Sequence, residues 1–260
     1  MEHGTIATMK YLMLFFVLLM PFTVNADDET DALRSLNYIP ANYQNMSRLP
    51  WKYNLHDISD DAVINEYFQI ENCDLYNQYH KNDFVWQGIK EAKKRDIRYF
   101  SNQYPDRFEV IASLPISRYD FNKAAFLIEE EFALKNAGSI QIPISYDKIA
   151  LACPDILKSE NFPISIKFIA DNKFSLMEIP VEPDRANDIL QSIKKYKFKN
   201  TNSDRIVSVR FRFKTNTIDR YQVKSNASEI VYRGQLDEIA FFEDPERTKL
   251  IWKKQFKILD

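Results

Sequence analysis

IVSVRFRFKT occupies residues 206–215. Val207, Val209, Phe211 and Phe213 fall on one side of a two-residue period, and Ser208, Arg210, Arg212 and Lys214 on the other. That alternation marks a strand with one face on a core and a basic face turned away from it. A second run follows, in which Ile230, Tyr232 and Leu236 share one parity and Ile239 and Phe241 the other. The apolar set therefore changes sides between Leu236 and Ile239, which predicts a β-bulge with Gly234 close enough to absorb it. Residues 248–256 supply a third strand after the turn-like Glu243, Asp244, Pro245 and Glu246.

Upstream of this sheet the sequence alternates between helical and extended signals. Ser59, Asp60 and Asp61 open a helix with a cap and first-turn acids. Val63, Tyr67, Ile70, Cys73 and Tyr76 then recur every three or four residues along a broad apolar face. Asn82 and Asp83 cap a second helix, with Trp86, Ile89, Ile97, Phe100 and Tyr104 on its apolar face. Extended runs follow at residues 108–114, 124–128 and 139–145, the last with Pro143 and so an edge strand or a bulge. Residues 162–169 and 174–179 flank Ala170, Asp171, Asn172 and Lys173, which reads as a hairpin turn. Pro183 and Asp184 open a third helix that buries Ala186, Ile189, Leu190 and Ile193 and ends in lysines, as the helix dipole favours. The expected fold is α+β: a mostly antiparallel β-sheet covered by an N-terminal helical hairpin and one further helix. Its parts are a signal peptide (1–26), an extended N-terminal arm (27–57) docked by Trp51 and Tyr53, the hairpin (58–105) and the sheet domain (106–260). Residues 58–260 form one compact unit.

The signal peptide rests on Lys10, the apolar run 11–20, Pro21 and the small-residue end Val24, Asn25, Ala26. The apolar core is well short of the ~20 residues a spanning helix needs, so no membrane span is expected after cleavage. A net charge of −2 gives no general attraction to nucleic acid, and none is expected as a partner. The abundance of lysine, asparagine, isoleucine and phenylalanine suits a bacterial chain, which places the protein in the periplasm or outside the cell.

Export puts Cys73 and Cys153, the two cysteines, where a disulfide persists. Two separately buried thiols are the other reading, because Cys73 continues the apolar stripe of its helix. His56 and Asp57 followed by Asp60 and Asp61 form the densest set of metal-ligand types, but acids at a helix start explain it without a metal. Cys73 with His80 is half of a zinc set. No metal and no cofactor is called for, and no H-E-x-x-H, G-x-S-x-G or phosphate-loop motif occurs. Asn45 and Asn226 lie in glycosylation patterns that matter only in a eukaryotic host.

The binding candidate is the basic face Arg210, Arg212 and Lys214, which fits an envelope protein or an anionic envelope polymer. Cross-strand pairing to Glu229, Asp237 or Glu243 is the structural alternative. A non-enzymatic exported binding or interaction protein of the cell envelope is the favoured function. Against it stands an envelope hydrolase acting on glycan or peptide through carboxylates distant in sequence.

Overall fold

A computed structural model describes residues 37–129, 134–142, 165–196, 205–222 and 229–256, with Cys153, Ser159, Asn161 and Phe162. The expected signal peptide and residues 27–36 of the arm lie outside these residues. Strands β1 (Ile39–Pro40), β2 (Arg107–Asp120), β3 (Ala125–Ile128), β4 (Leu134–Ile142), β5 (Ser165–Leu176), β6 (Glu178–Pro180), β7 (Ile206–Gln222), β8 (Glu229–Phe242) and β9 (Leu250–Gln255) join in one sheet. Its order is β4-β5-β8-β7-β2-β3-β6, with β1 beside β2 and β9 beside β8. Helices are α1 (Tyr43–Met46), α2 (Leu49–Lys52), α3 (Asp61–Glu71), α4 (Cys73–Tyr79), α5 (Asp83–Phe100) and α6 (Pro183–Ile193). Helices and a large sheet coexist, so the class is α+β. None of the described helices is long and apolar enough to cross a membrane.

The sheet is mixed and not mostly antiparallel, because β5 runs parallel to β8 and β1 parallel to β2. The expected turn at residues 170–173 does not form, and β5 continues through it with a register shift against β4 between Ile169 and Phe174. Its turn-type side chains instead fasten the next strand. Asn172 donates from Nδ2 to the Leu236 carbonyl and accepts from the Leu236 amide at 2.8 and 2.9 Å, and Asp171 pairs with Arg233. β5 pairs with β8 in the same direction through Ser165 to Ala170, beside Glu229 to Gly234.

β7 and β8 pair antiparallel at the centre. The bulge foreseen between Leu236 and Ile239 is there: Arg212 opposes Glu238 while Phe213 opposes Leu236, leaving Asp237 as the extra residue. A second irregularity lies at Thr215 and Thr217, opposite Gly234 and Arg233. At Gly234 a Cβ would stand 1.9 Å from the Lys214 carbonyl oxygen, so only glycine fits against the neighbouring backbone. β2 pairs with β7 up to Pro115 and with β3 from Ile116 onward, the proline marking the changeover.

The first long helix breaks in two at Asn72, whose side chain accepts from the Leu75 amide and caps α4. Asp60 and Asn82 cap α3 and α5 in the same way. Residues 38–57 are not an extended arm. They form β1 and two one-turn helices, with Tyr43, Met46, Leu49 and Trp51 buried. Tyr53 docks as expected, its hydroxyl donating to the Thr215 carbonyl at 2.9 Å. One core cluster runs from Met46 and Trp51 through Ile64, Tyr67 and Phe68 to Phe168, Val209, Phe213 and Ile239. The described residues from Tyr38 onward form one compact unit.

Candidate functional site

On the charged side of β7 the sequence's basic residues meet carboxylates. Arg210 donates through Nε and Nη2 to Glu238 Oε1 at 3.1 and 2.7 Å. Arg212 donates through Nε to Glu109 Oε2 at 3.3 Å, with its Nη1 3.6 Å from Glu238 Oε1. The Arg212 side chain is 5% exposed and that of Glu238 4%, so the expected open basic face is corrected to a buried ion-pair network. Lys214 is half-buried. Of the acids offered as cross-strand partners, Asp237 belongs to this network, but it pairs with Arg107 at 3.0 Å.

The bulge explains how these charges come together. Neighbouring residues of a regular strand point to opposite faces, whereas the extra residue at Asp237 lets both Asp237 and Glu238 reach arginines. Tyr38 closes over them, donating to Asp237 Oδ2 at 2.5 Å with its ring 5.2 Å from the Arg212 guanidinium. Burial, and then Asp237, push the Tyr38 hydroxyl up to about 12, so it remains a donor at neutral pH. Arg107, Arg210 and Arg212 are balanced by Glu109, Asp237 and Glu238, which leaves the cluster without net charge to offer a polyanion.

A second constellation draws on four separate segments. His56 follows α2 and packs edge-on to Trp51 at 5.0 Å, against Phe162 at 4.8 Å and edge-on to Tyr221 of β7 at 5.6 Å. Its Nε2 lies 3.2 Å from the Tyr221 hydroxyl, which donates to the Asn161 carbonyl. Because the Tyr221 proton is committed there, the network assigns the His56 proton to Nε2 and the lone pair to Nδ1. Beside them Glu66 of α3 accepts from Ser159 Oγ and from the Asn161 amide at 3.0 Å. Burial, and next the Glu66 charge, push the Tyr221 hydroxyl well above its ordinary value. Chemically the box presents a neutral imidazole in aromatic surroundings, with a carboxylate holding the chain segment beneath it.

Burial holds His56 down to about 4 from an ordinary 6.5, opposed by the Asp60 charge. Above pH 6.5 both folded and unfolded chains carry it neutral. Between 6.5 and 4 the unfolded chain takes up a proton that the folded chain refuses, so stability falls as pH falls across that window. The difference amounts to about 3 kcal/mol. Urea denaturation of wild type and His56→Gln at pH 7 and pH 4.5 is expected to show a smaller acid loss in the variant. An equal loss in both would place the titration elsewhere.

The other candidate ligands are scattered among structural tasks. Asp57 accepts from the Ser59 amide and hydroxyl, Asp60 caps α3, and Asp61 pairs with Lys90 and Lys94 of α5. His80 Nδ1 lies 2.7 Å from the Tyr76 carbonyl, with its ring stacked on Tyr76. Cys73 and Cys153 form a disulfide with 5.9 Å between Cα atoms, as in proteins of oxidising compartments. It fastens the connection between β4 and β5 to α4. The Asn45 side-chain amide donates to the Pro40 carbonyl, so that glycosylation pattern is occupied within the fold. Asn226 lies outside the described residues.

Sequence reasoning overlooked Glu109, Glu238, Tyr38 and Tyr221. Register alone could have found Glu238, since a bulge at Asp237 brings it opposite Arg212. Tyr38 and Tyr221 carry no local signal at all.

No curated protein and no solved structure matches the chain. One family profile, described as a domain of unknown function, matches residues 59–192, just over half of the 260-residue chain. That span holds α3 to the last turn of α6, strands β2 to β6 and both cysteines, whereas His56, Tyr221 and the β7 arginines lie outside it. Within the sheet its strands form two groups, β4-β5 and β2-β3-β6, which β8 and β7 separate. The chain belongs to the DUF4852 family.

Proposed function

We propose that this protein is an exported, non-enzymatic binding or interaction protein of the cell envelope. The observation that carries the reading is a set of aromatic side chains standing in solvent. Phe84 at the start of α5 is 94% exposed, Phe121 in the β2–β3 turn 78%, and Tyr99 near the end of α5 74%. Aromatic residues are the usual anchors of interfaces, and a folded chain that buries most of its phenylalanines gains nothing in stability from leaving these outside. The leader-like start of the sequence and the Cys73–Cys153 disulfide support a periplasmic or secreted setting.

The β2–β3 turn is the partner surface for an envelope protein. Asp120 accepts from the Asn122 and Lys123 amides and holds the turn, and Tyr119 packs edge-on to Phe121 at 5.0 Å. Lys123 stands beside it, 55% exposed at its side chain and paired with Glu178 at 3.3 Å, so the apolar contact is flanked by an ion pair. The rival hydrolase reading draws on Glu66, a half-buried carboxylate in the His56 box.

Crosslinking of the mature protein in native envelopes, followed by capture, tests both. A partner retained by wild type and lost by Phe121→Ser, with the melting temperature unchanged, is the expected result. Turnover of a glycan or peptide substrate that Glu66→Gln abolishes would overturn the proposal.

A further inference from the structure

We infer that the His56 box is an acid-opened latch: a proton taken up by His56 frees Asn161 and Phe162 from α3 and β7 while the rest of the fold stays closed. The bonds of these two residues converge on the neighbours of the imidazole. Tyr221 donates to the Asn161 carbonyl, Glu66 accepts from the Asn161 amide at 3.0 Å, and Ser159 Oγ accepts from the Phe162 amide at 2.8 Å. Tyr43 donates to the Phe162 carbonyl at 3.3 Å. The Phe162 ring packs against His56 at 4.8 Å and stacks on Tyr67 at 5.9 Å.

The surrounding charges are already engaged. Asp57 accepts from Ser59, Asp60 caps α3, and Glu66 holds Ser159 and Asn161. Lys52 of α2 pairs with Asp106, and Asp219 of β7 with Arg233. Burial keeps the Tyr67 and Tyr221 hydroxyls protonated. None of the three carboxylates bonds the ring, so an imidazolium in the closed box would exchange water for aromatic walls without a bonded counter-charge. Moving Phe162 aside returns water to it.

The movement stays local because the connection is anchored on both sides of the latch. Cys153 is bridged to Cys73 of α4, and Ser165 and Ile166 pair with Glu229 and Ile230 of β8. Opening bares Phe162, Tyr67 and Trp51, none more than 3% exposed when closed, and so presents an aromatic surface that the closed protein hides. His56 is held down to about 4 in the closed box and returns to 6.5 once solvated, so the open fraction should rise roughly 60-fold between pH 7 and pH 4.5. The β2–β3 turn takes no part, so the latch does not rest on the binding reading.

Amide exchange of the oxidised protein at pH 7 and pH 4.5, without urea and in urea well below the unfolding midpoint, tests it. After correction for the intrinsic effect of pH, the protection of Asn161 and Phe162 should fall roughly 60-fold in acid and stay indifferent to urea, whereas that of Val209 in β7 should track urea. His56→Gln keeps a donor toward Tyr221 and cannot titrate, so it should cut the acid fall to below about tenfold. Magnetic resonance of the His56 ring needs no variant, and the closed protein should keep that ring neutral down to about pH 4. Asn161 and Phe162 exchanging only together with Val209 as urea rises, an acid fall of equal size in His56→Gln, or a ring titrating at 6.5 would each overturn the inference.

Discussion

Glu238→Ala is expected to lower stability by about 3–5 kcal/mol, because it leaves buried guanidiniums without their shared carboxylate. Glu238 Oε1 receives both donors of Arg210 and sits 3.6 Å from Arg212 Nη1. Arg212 would keep Glu109 at 3.3 Å, but Arg210 would lose the carboxylate that its two donors grip. Urea denaturation should show a lower midpoint with an unchanged slope, the sign of lost stability in an otherwise similar native state. Replacing Arg210, Arg212, Glu238 and Glu109 together by Met, Leu, Leu and Gln should recover most of the loss, since what costs most is the unpaired buried charge. A loss below about 1 kcal/mol for Glu238→Ala would mean that the network is solvated and worth no more than a surface pair. The same burial makes charge reversal at Arg210 or Arg212 a test of folding and not of ligand binding.

Loss of the Cys73–Cys153 bridge is the second large effect. It closes a loop with a sequence separation of 80, for which restriction of the unfolded chain gives about 4 kcal/mol. Cys73→Ser and Cys153→Ser are expected to destabilise by similar amounts, since either removes the same crosslink. Non-reducing and reducing gels of the exported protein should differ in mobility. Two thiols titrating in the native protein would refute the bridge. Reduction should act first on the connection between β4 and β5, which is also held where Ser159 and Asn161 donate to Glu66. Amide exchange of Asn161 and Phe162 before and after reduction reports that loosening.

Much of the architecture is legible without coordinates where the signal is local. The two-residue period of residues 206–213 became β7, and the parity change after Leu236 became the bulge at Asp237. Asp60, Asn82 and Pro183 begin helices where their chemistry says they should. The run that begins at Ser139 belongs to an edge strand, β4, while Pro143 itself lies outside the described residues. Asn72 shows the limit of such reading. Its apolar surroundings continue the helical period on both sides, yet its side chain caps a new helix and breaks the old one.

The sequence by itself determined which residues face a core, where helices start and where a strand must slip, because each depends on neighbours within one turn or one strand pair. Only the tertiary structure decided that Asp171 and Asn172 bind the strand beside them instead of turning, and that β5 lies parallel to β8. It alone joined Tyr38 to Asp237 and His56 to Tyr221. A basic stripe reads the same whether water or carboxylates lie above it. What distinguishes the two is strand order, and strand order places Glu109 of β2 and Glu238 of β8 on either side of β7, where Arg210 and Arg212 exchange solvent for ion pairs.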